Sequence, residues 1–291
     1  MGARLQRARR ALQVGRVAQR SGLRRALAEI GVVGRREATA EGARSFRRAL
    51  EELGTTFIKL GQLLSSRPDL LPDVYIEELG RLVDQIAPVP FSEIEATIRE
   101  DLGEGVFAQI DPEPLATASI AQTHRALLAS GRDVVVKVRR PGIAEQVDVD
   151  LALLRSTARL MAGRSETARL LQLEELADDL EVHLRAELDL EEEAHNTELI
   201  RGIVERYDRL VVPEVIRPFV SERVLVLERI EGRKVERGHG LPAEAAKALA
   251  QQFFRAYVFQ VVVEGVYHAD PHHGNVLLTE DGRLALLDFG L

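Results

Sequence analysis

Asp270, Asn275 and Asp288 are the three side chains of this sequence best suited to do chemistry together. Asp270 and Asn275 belong to His268-Ala-Asp-Pro-His-His-Gly-Asn275, and Asp288 opens Asp288-Phe-Gly290. Between them Val276-Leu-Leu278 and Leu284-Ala-Leu-Leu287 read as short strands, joined by a turn at Thr279-Glu-Asp-Gly282. A hairpin brings its ends together, so the three residues should converge. Asn and Asp supply hard oxygen ligands of the kind Mg²⁺ accepts while it keeps waters and phosphate oxygens. An Asp five residues before an Asn, with Asp-Phe-Gly downstream, is the layout of phosphoryl transfer. One carboxylate orients the nucleophile, and the Asn and second Asp hold metal. Each motif alone is weak; their order and joint presence carry the signal.

Such a site needs a cation for phosphate and elements to position it. Lys137 lies in Val134-Val-Val-Lys-Val138, within a strand predicted over Asp133–Arg139, on the face shared with Val135 and Arg139. An ammonium among valines is costly unless it finds a partner; the plain alternative is an edge-strand lysine reaching water. Helices are predicted over 145–162 and 171–201, and the second carries ten acidic residues between Glu174 and Glu193. Most of these form a solvated face. Glu187 and Glu193 are six apart and point in different directions on a helix, so one can serve Lys137 and the other something else.

Further strands are predicted over Phe107–Ile110, Ile120–Leu127, Arg209–Ile216 and Arg223–Ile230. The small, uncharged stretch Pro114-Leu-Ala-Thr-Ala-Ser119 falls between the first two. Its backbone amides could face phosphates, although Cβ atoms narrow the approach that glycines would allow. Glu228-Arg-Ile-Glu-Gly232 reads as a connector whose backbone groups could meet an adenine edge, and Ala243–Val266 as a strongly apolar helix.

The N-terminal part is helical in pattern. Phe46, Leu50, Leu53, Phe57, Leu60 and Leu64 recur at three- and four-residue spacing and predict one helix over 41–66. It contains Lys59-Leu-Gly-Gln62, where Gly61 either costs the helix about 1 kcal/mol or permits a close approach. A second helix is predicted from Leu71-Pro72 to about Ile86, and a third over Phe91–Leu102 with Ser92 as its N-cap.

Composition bounds the classes. The chain has 291 residues, 45% hydrophobic and 4% aromatic, which supports a core filled by aliphatic side chains. It has no Cys, which excludes disulfides, zinc–thiolate sites and thiol catalysis. No apolar run approaches the roughly 18 residues of a spanning helix. The net charge of −7 is divided: residues 1–50 hold 13 Arg and 3 Glu, a balance of +10, leaving −17 on the remainder. The basic arm reads either as a solvated segment or as one that lies on an anionic membrane or acidic partner. Nucleic acid fits poorly, because no aromatics interleave with the arginines.

The whole order resembles the UbiB family of atypical kinase-like proteins, the group linked to ubiquinone biosynthesis. Phe57-Ile-Lys-Leu-Gly-Gln62 looks like its KxGQ motif, Leu115-Ala-Thr-Ala-Ser-Ile-Ala-Gln-Thr-His124 its Ala-rich loop, and Glu187-Leu-Asp189 its ExD motif. His268–Asn275 is similar to its catalytic loop, with His273 where Pro is more usual. The likeness covers roughly residues 40–291. It implies an α+β, protein-kinase-like fold: an N-terminal helical extension, a five-stranded antiparallel N-lobe sheet and only the start of a helical C-lobe. The expected divisions are a basic arm over 1–40, a KxGQ extension over 41–105, an N-lobe over 106–230 and a partial C-lobe over 231–291. With the chain ending directly after the Asp-Phe-Gly motif, exposed apolar surface is expected on the 243–266 helix.

By position, the resemblance implies ATP or ADP as cofactor with Mg²⁺. Lys137 is similar to the nucleotide-phosphate lysine and Glu193 to its helix partner. Asp270 is similar to the catalytic-loop Asp, and Asn275 and Asp288 to the metal ligands. Ala116, Thr117, Ala118, Ser119, Glu228 and Ile230 would line the nucleotide. Lys59 and Gln62 would lie across the site, with Glu187 and Asp189 helping to hold that extension. The implied activity is ATPase-type or small-molecule chemistry more than protein phosphorylation. The implied location is cytoplasmic, peripheral at the inner face of the cell membrane, with an isoprenoid lipid or anionic surface as partner. The alternatives are a small-molecule phosphotransferase resembling aminoglycoside kinases, a non-catalytic lipid-responsive scaffold, and a metal site on His268, His272 and His273.

Overall fold

The computed structural model describes residues 2–21, 23–30, 37–82, 86–163, 169, 172–235, 241–268 and 273–290. The first elements in chain order are α1 (Gly2–Arg20), α2 (Leu23–Glu29), α3 (Ala40–Leu53), α4 (Thr55–Ser65), α5 (Asp73–Leu79) and α6 (Phe91–Leu102). Then come β1 (Phe107–Thr117), β2 (Ala121–Leu128), β3 (Asp133–Arg139), α7 (Ile143–Ala162), α8 (Leu173–Leu188) and α9 (Leu190–Val204). The last are β4 (Leu210–Val211), β5 (Val215–Val220), β6 (Val224–Glu228), β7 (Gly232–Lys234), α10 (Ala243–Phe259), β8 (Val276–Thr279) and β9 (Leu284–Leu286). The chain divides into a helical unit of Met1–Ile86, Ala118–Ile120 and Gly142–Arg185, and a sheet-containing unit of Ala87–Thr117, Ala121–Pro141 and Ala186–Leu291.

In the helical unit, the single helix predicted over 41–66 is two. Gly54 takes φ +88°, a conformation open to glycine, and its N–H closes α3 on the carbonyls of Leu50 and Glu51. Phe46, Leu50 and Leu53 of α3 and Phe57 and Leu64 of α4 still share one core with Tyr75 and Leu79 of α5. The apolar spacing survives the break, which is why periodicity alone does not reveal it. Gly61 is a packing position: a Cβ there would lie 2.4 Å from Leu82 Cδ1 and 2.7 Å from Leu50 Cδ1.

Charge also organises this unit. Arg10 of α1 donates to both oxygens of the fully buried Asp150 on α7, at 2.6 and 2.8 Å, and to Leu53 O at 2.6 Å. The arginine-rich segment is therefore tied down here, while Arg9, Arg16 and Arg20 remain exposed. The buried Glu29 carboxylate accepts from Arg25, from Thr39 N and Oγ1, and from the Tyr75 hydroxyl at 2.9 Å.

The second unit holds the five-stranded antiparallel sheet, in the order β1-β2-β3-β6-β5. Val134, Val136 and Val138 of β3 pack with Ile94 and Ile98 of α6, and Leu190 and Ala194 of α9 pack with Val215 and Leu225. Ser92 does not cap α6: Pro90 holds the cap position, with no side-chain cap bond. The strand predicted over Arg209–Ile216 is divided at Pro213, which has no N–H to give a ladder. Its first part, β4, joins a four-stranded sheet ordered β4-β9-β8-β7, and its second joins the larger sheet as β5.

The 243–266 segment is α10 followed by a π-helical turn, Gln260–Glu264. It carries the expected exposed apolar face, with Phe254 67% and Val262 74% accessible. Among the described residues no helix is long and apolar enough to cross a membrane.

Candidate nucleotide site

β3 alternates as its sequence requires: the three even-numbered valines are buried, and Lys137 turns to the opposite face with Val135 and Arg139. The Lys137 Nζ donates to Glu193 Oε1 at 2.7 Å and to Asp288 Oδ1 at 3.0 Å. Strand, helix and hairpin thus each contribute one member of a charged triad.

Glu193 is aimed by a helix start. The acidic helix predicted over 171–201 breaks at Asp189, whose side chain accepts from Glu191 N at 2.9 Å and caps α9. Glu193 follows one turn later, where a helix N-terminus favours a carboxylate. On the other side of the break, Arg139 Nη1 donates to Leu188 O at 2.6 Å, satisfying a carbonyl at the end of α8. Glu187 and Glu193 therefore sit on two helices, not on two faces of one.

Asp288 is delivered by the hairpin. Val276 pairs with Leu286, and Leu287 N donates to Asn275 O at 2.8 Å, so the backbone brings Asn275 and Asp288 to the same open end of the hairpin. Asp288 adopts φ +61°, which Asp tolerates better than most residues. The next residue, Phe289, is buried with Ile200 and Ile203 of α9, and its carbonyl accepts from Asn196 Nδ2 at 3.3 Å. One helix therefore supports both carboxylates of the triad. Asp270 and His272 lie outside the described residues, as does the side chain of His273.

The electrostatics follow from burial. Desolvation would lower the Lys137 pKa, but Asp288 and Glu193 outweigh it and hold the ammonium above the ordinary lysine value. The Glu193 carboxyl is pushed up to about 7, by burial first, against the pull of Lys137 and with help from Asp288. The two carboxylates share one cation, and the buried one bears the desolvation cost; Asp288 is 49% exposed. Among the described residues no three His, Cys, Asp or Glu side chains gather as a metal cluster. The oxygen donors of Asn275 and Asp288 suit an ion that takes few protein ligands and keeps its waters, as Mg²⁺ does.

Ala116 and Thr117 end β1, which runs further than the sequence pattern predicts, and pair with Thr123 and Gln122. Ala118 and Ser119 belong to the short connection that follows; Ser119 is fully buried, and its carbonyl accepts from Thr55 Oγ1 at 3.1 Å. Glu228 ends β6, its carboxylate accepting from Glu214 N at 3.1 Å, and Ile230 lies half-buried in the connector to β7. Lys59 and Gln62 are half-buried on α4 of the helical unit. Sequence reasoning missed the roles of Arg139, Asn196 and the Asp189 cap. Signals existed for two of them: Arg139 shares the Lys137 face, and an Asp followed by three glutamates is a helix-start pattern.

A β3 lysine paired to a helix glutamate, beside the Asp of an Asp-Phe-Gly motif, on a five-stranded antiparallel sheet, defines a kinase-like α+β protein. The model of the ABC1 atypical kinase-like domain matches residues 81–291, and the chain belongs to that family. It is 40% identical over 259 residues to a protein of Xylella fastidiosa named "Probable protein kinase UbiB", covering 85% of this chain and 47% of that one. A protein of the same name from Xanthomonas campestris is 41% identical over 270 residues, covering 87% and 48%. The chain thus spans about half the length of these curated relatives. Among solved structures, that of Rv3197 from Mycobacterium tuberculosis, in complex with erythromycin, is similar with a TM-score of 0.56 and 27% identity. It covers 83% of this chain and 62% of that one.

Proposed function

We propose that this chain binds ATP or ADP with Mg²⁺ and serves as an atypical kinase or ATPase of the UbiB type, in the metabolism of ubiquinone or another isoprenoid lipid. The observation that carries the reading is the triad of Lys137 with Glu193 and Asp288. An ammonium fixed by two carboxylates is preorganised for phosphate oxygens. Asn275 and Asp288 would hold Mg²⁺, which when bound neutralises phosphate charge. Asp270 has the motif position of the group that orients the attacking hydroxyl or water. Ala116, Thr117, Ala118 and Ser119 would flank phosphate, and Glu228 and Ile230 the adenine. Lys59, Gln62, Glu187 and Asp189 are assigned a regulatory part on their motif matches. The proposed location is the inner face of the cell membrane, held peripherally.

Isothermal titration with ATP and ADP, with and without Mg²⁺, tests the reading. We expect saturable binding of at least one nucleotide, strengthened by Mg²⁺. Asp288→Asn, which tolerates the same backbone conformation, should remove the Mg²⁺ dependence. Absence of binding, or an unaltered metal dependence in the variant, would sink it.

A further inference from the structure

The helical unit contains a cavity of about 230 Å³ that the nucleotide reading does not use. Its walls include Val14 of α1, Leu53 of α3, Phe57 of α4, Leu154 of α7, and Leu176 and Leu180 of α8. Thr157 is the one polar side chain among the described lining residues, and its hydroxyl already donates to Leu153 O at 2.8 Å. Buried water needs two to four polar partners. This lining provides almost none, so the space suits hydrocarbon.

Protein interiors rarely leave voids larger than a water molecule. Here two small residues, Ala158 of α7 and Ala177 of α8, line the space where larger side chains would fill it. The same two helices are tied together by ion pairs: Arg155 with Asp178 at 2.7 Å and with Glu181, and Arg159 with Glu174 at 3.6 Å. These pairs hold the two walls together beside the cavity. Thr157 is exposed, so the cavity reaches the surface beside it. An apolar cavity of about 150 Å³ accepts benzene, so one half as large again takes roughly nine or ten carbon atoms.

We infer that the helical unit binds one uncharged hydrocarbon chain of about ten carbons, straight or prenyl, with any polar head left at the Thr157 rim. This site is separate from the triad and stands whether or not nucleotide binds.

The chain supplies its own reporter. Its two methionines are Met1 and Met161, and Met161 lines the cavity. The full chain, labelled with ¹³C at the methionine methyls, would be titrated with 1-decanol and with geraniol. We expect the Met161 resonance to move saturably while that of Met1 stays in place. Saturation by geraniol alone assigns a prenyl chain, by decanol alone a straight one, and by both a site that takes either. Ala177→Phe fills the space and should abolish the shift while keeping the melting temperature at or above that of the parent. Should that variant not fold, Ala158→Leu should weaken both alcohols at least tenfold. The inference is overturned if Met161 does not respond to either alcohol up to its solubility, or if both filled variants bind as the parent does.

Discussion

Lys137 is one cation serving two carboxylates that are not equivalent. Glu193 is buried and Asp288 half exposed, so a proton added to the triad goes first to Glu193. Its folded pKa of about 7 lies above the 4.5 of a free glutamate. The folded chain thus keeps a proton that the unfolded chain has already lost. The resulting stability is complete below about pH 4.5 and is lost as pH rises through about 7. Glu193→Gln still accepts a hydrogen bond from Lys137 but does not titrate. Thermal unfolding followed from pH 4.5 to 8 should show a declining melting temperature in the parent and a flatter profile in the variant. Identical slopes would mean that Glu193 ionises in the folded chain as it does in the unfolded one.

Elements convert these residues into a site, and α9 does most of that work. Its cap, Asp189, sets where the helix begins and so where Glu193 points; farther along, Asn196 and the Ile200 region hold Phe289 beside Asp288. Asp189→Ala should cost about 1 kcal/mol of stability. It should also weaken nucleotide binding, while Asp189→Asn, which caps as well, should restore both. An alanine variant that binds normally would show that α9 is held by packing alone. A second element-level expectation concerns Gly61 in α4. Gly→Ala inside a helix ordinarily gains about 1 kcal/mol. Here the added methyl meets Leu50 and Leu82, so chemical denaturation should show Gly61→Ala to be less stable than the parent. A gain in stability would mean that the two leucines move aside freely.

The same elements show what the sequence could reveal. Strand β3 was legible to its ends, because alternation and a turn on each side leave one register. The hairpin of Asn275 and Asp288 was equally plain. The breaks at Gly54 and Asp189 were not, since apolar or acidic periodicity continues through both. Residue type does carry a signal at each, a glycine free to take positive φ at 54 and an Asp ahead of a glutamate-rich first turn at 189, but the continuing periodicity masks it.

At the scale of the whole molecule, charge is divided more sharply than apolarity. The first 50 residues carry +10 and the rest −17, yet the arginines of α1 do not act as one group. Arg10 is spent on the buried Asp150, and losing it would leave an unpaired buried carboxylate, a cost of roughly 3–5 kcal/mol. Arg9, Arg16 and Arg20 are exposed and remain available to an anionic surface. Each basic residue near such a surface contributes about 1 kcal/mol, opposed here by the acidic remainder of the chain. Replacing the three by Gln should therefore weaken sedimentation with phosphatidylglycerol-containing vesicles by roughly 100-fold at low salt. The parent's own binding should fall as ionic strength rises. Arg10→Gln, in contrast, should lower the melting temperature before any effect on vesicles can be read. Equal binding to neutral and anionic vesicles, or full binding by the triple variant, would remove the arm from any membrane role and leave α1 as a structural helix.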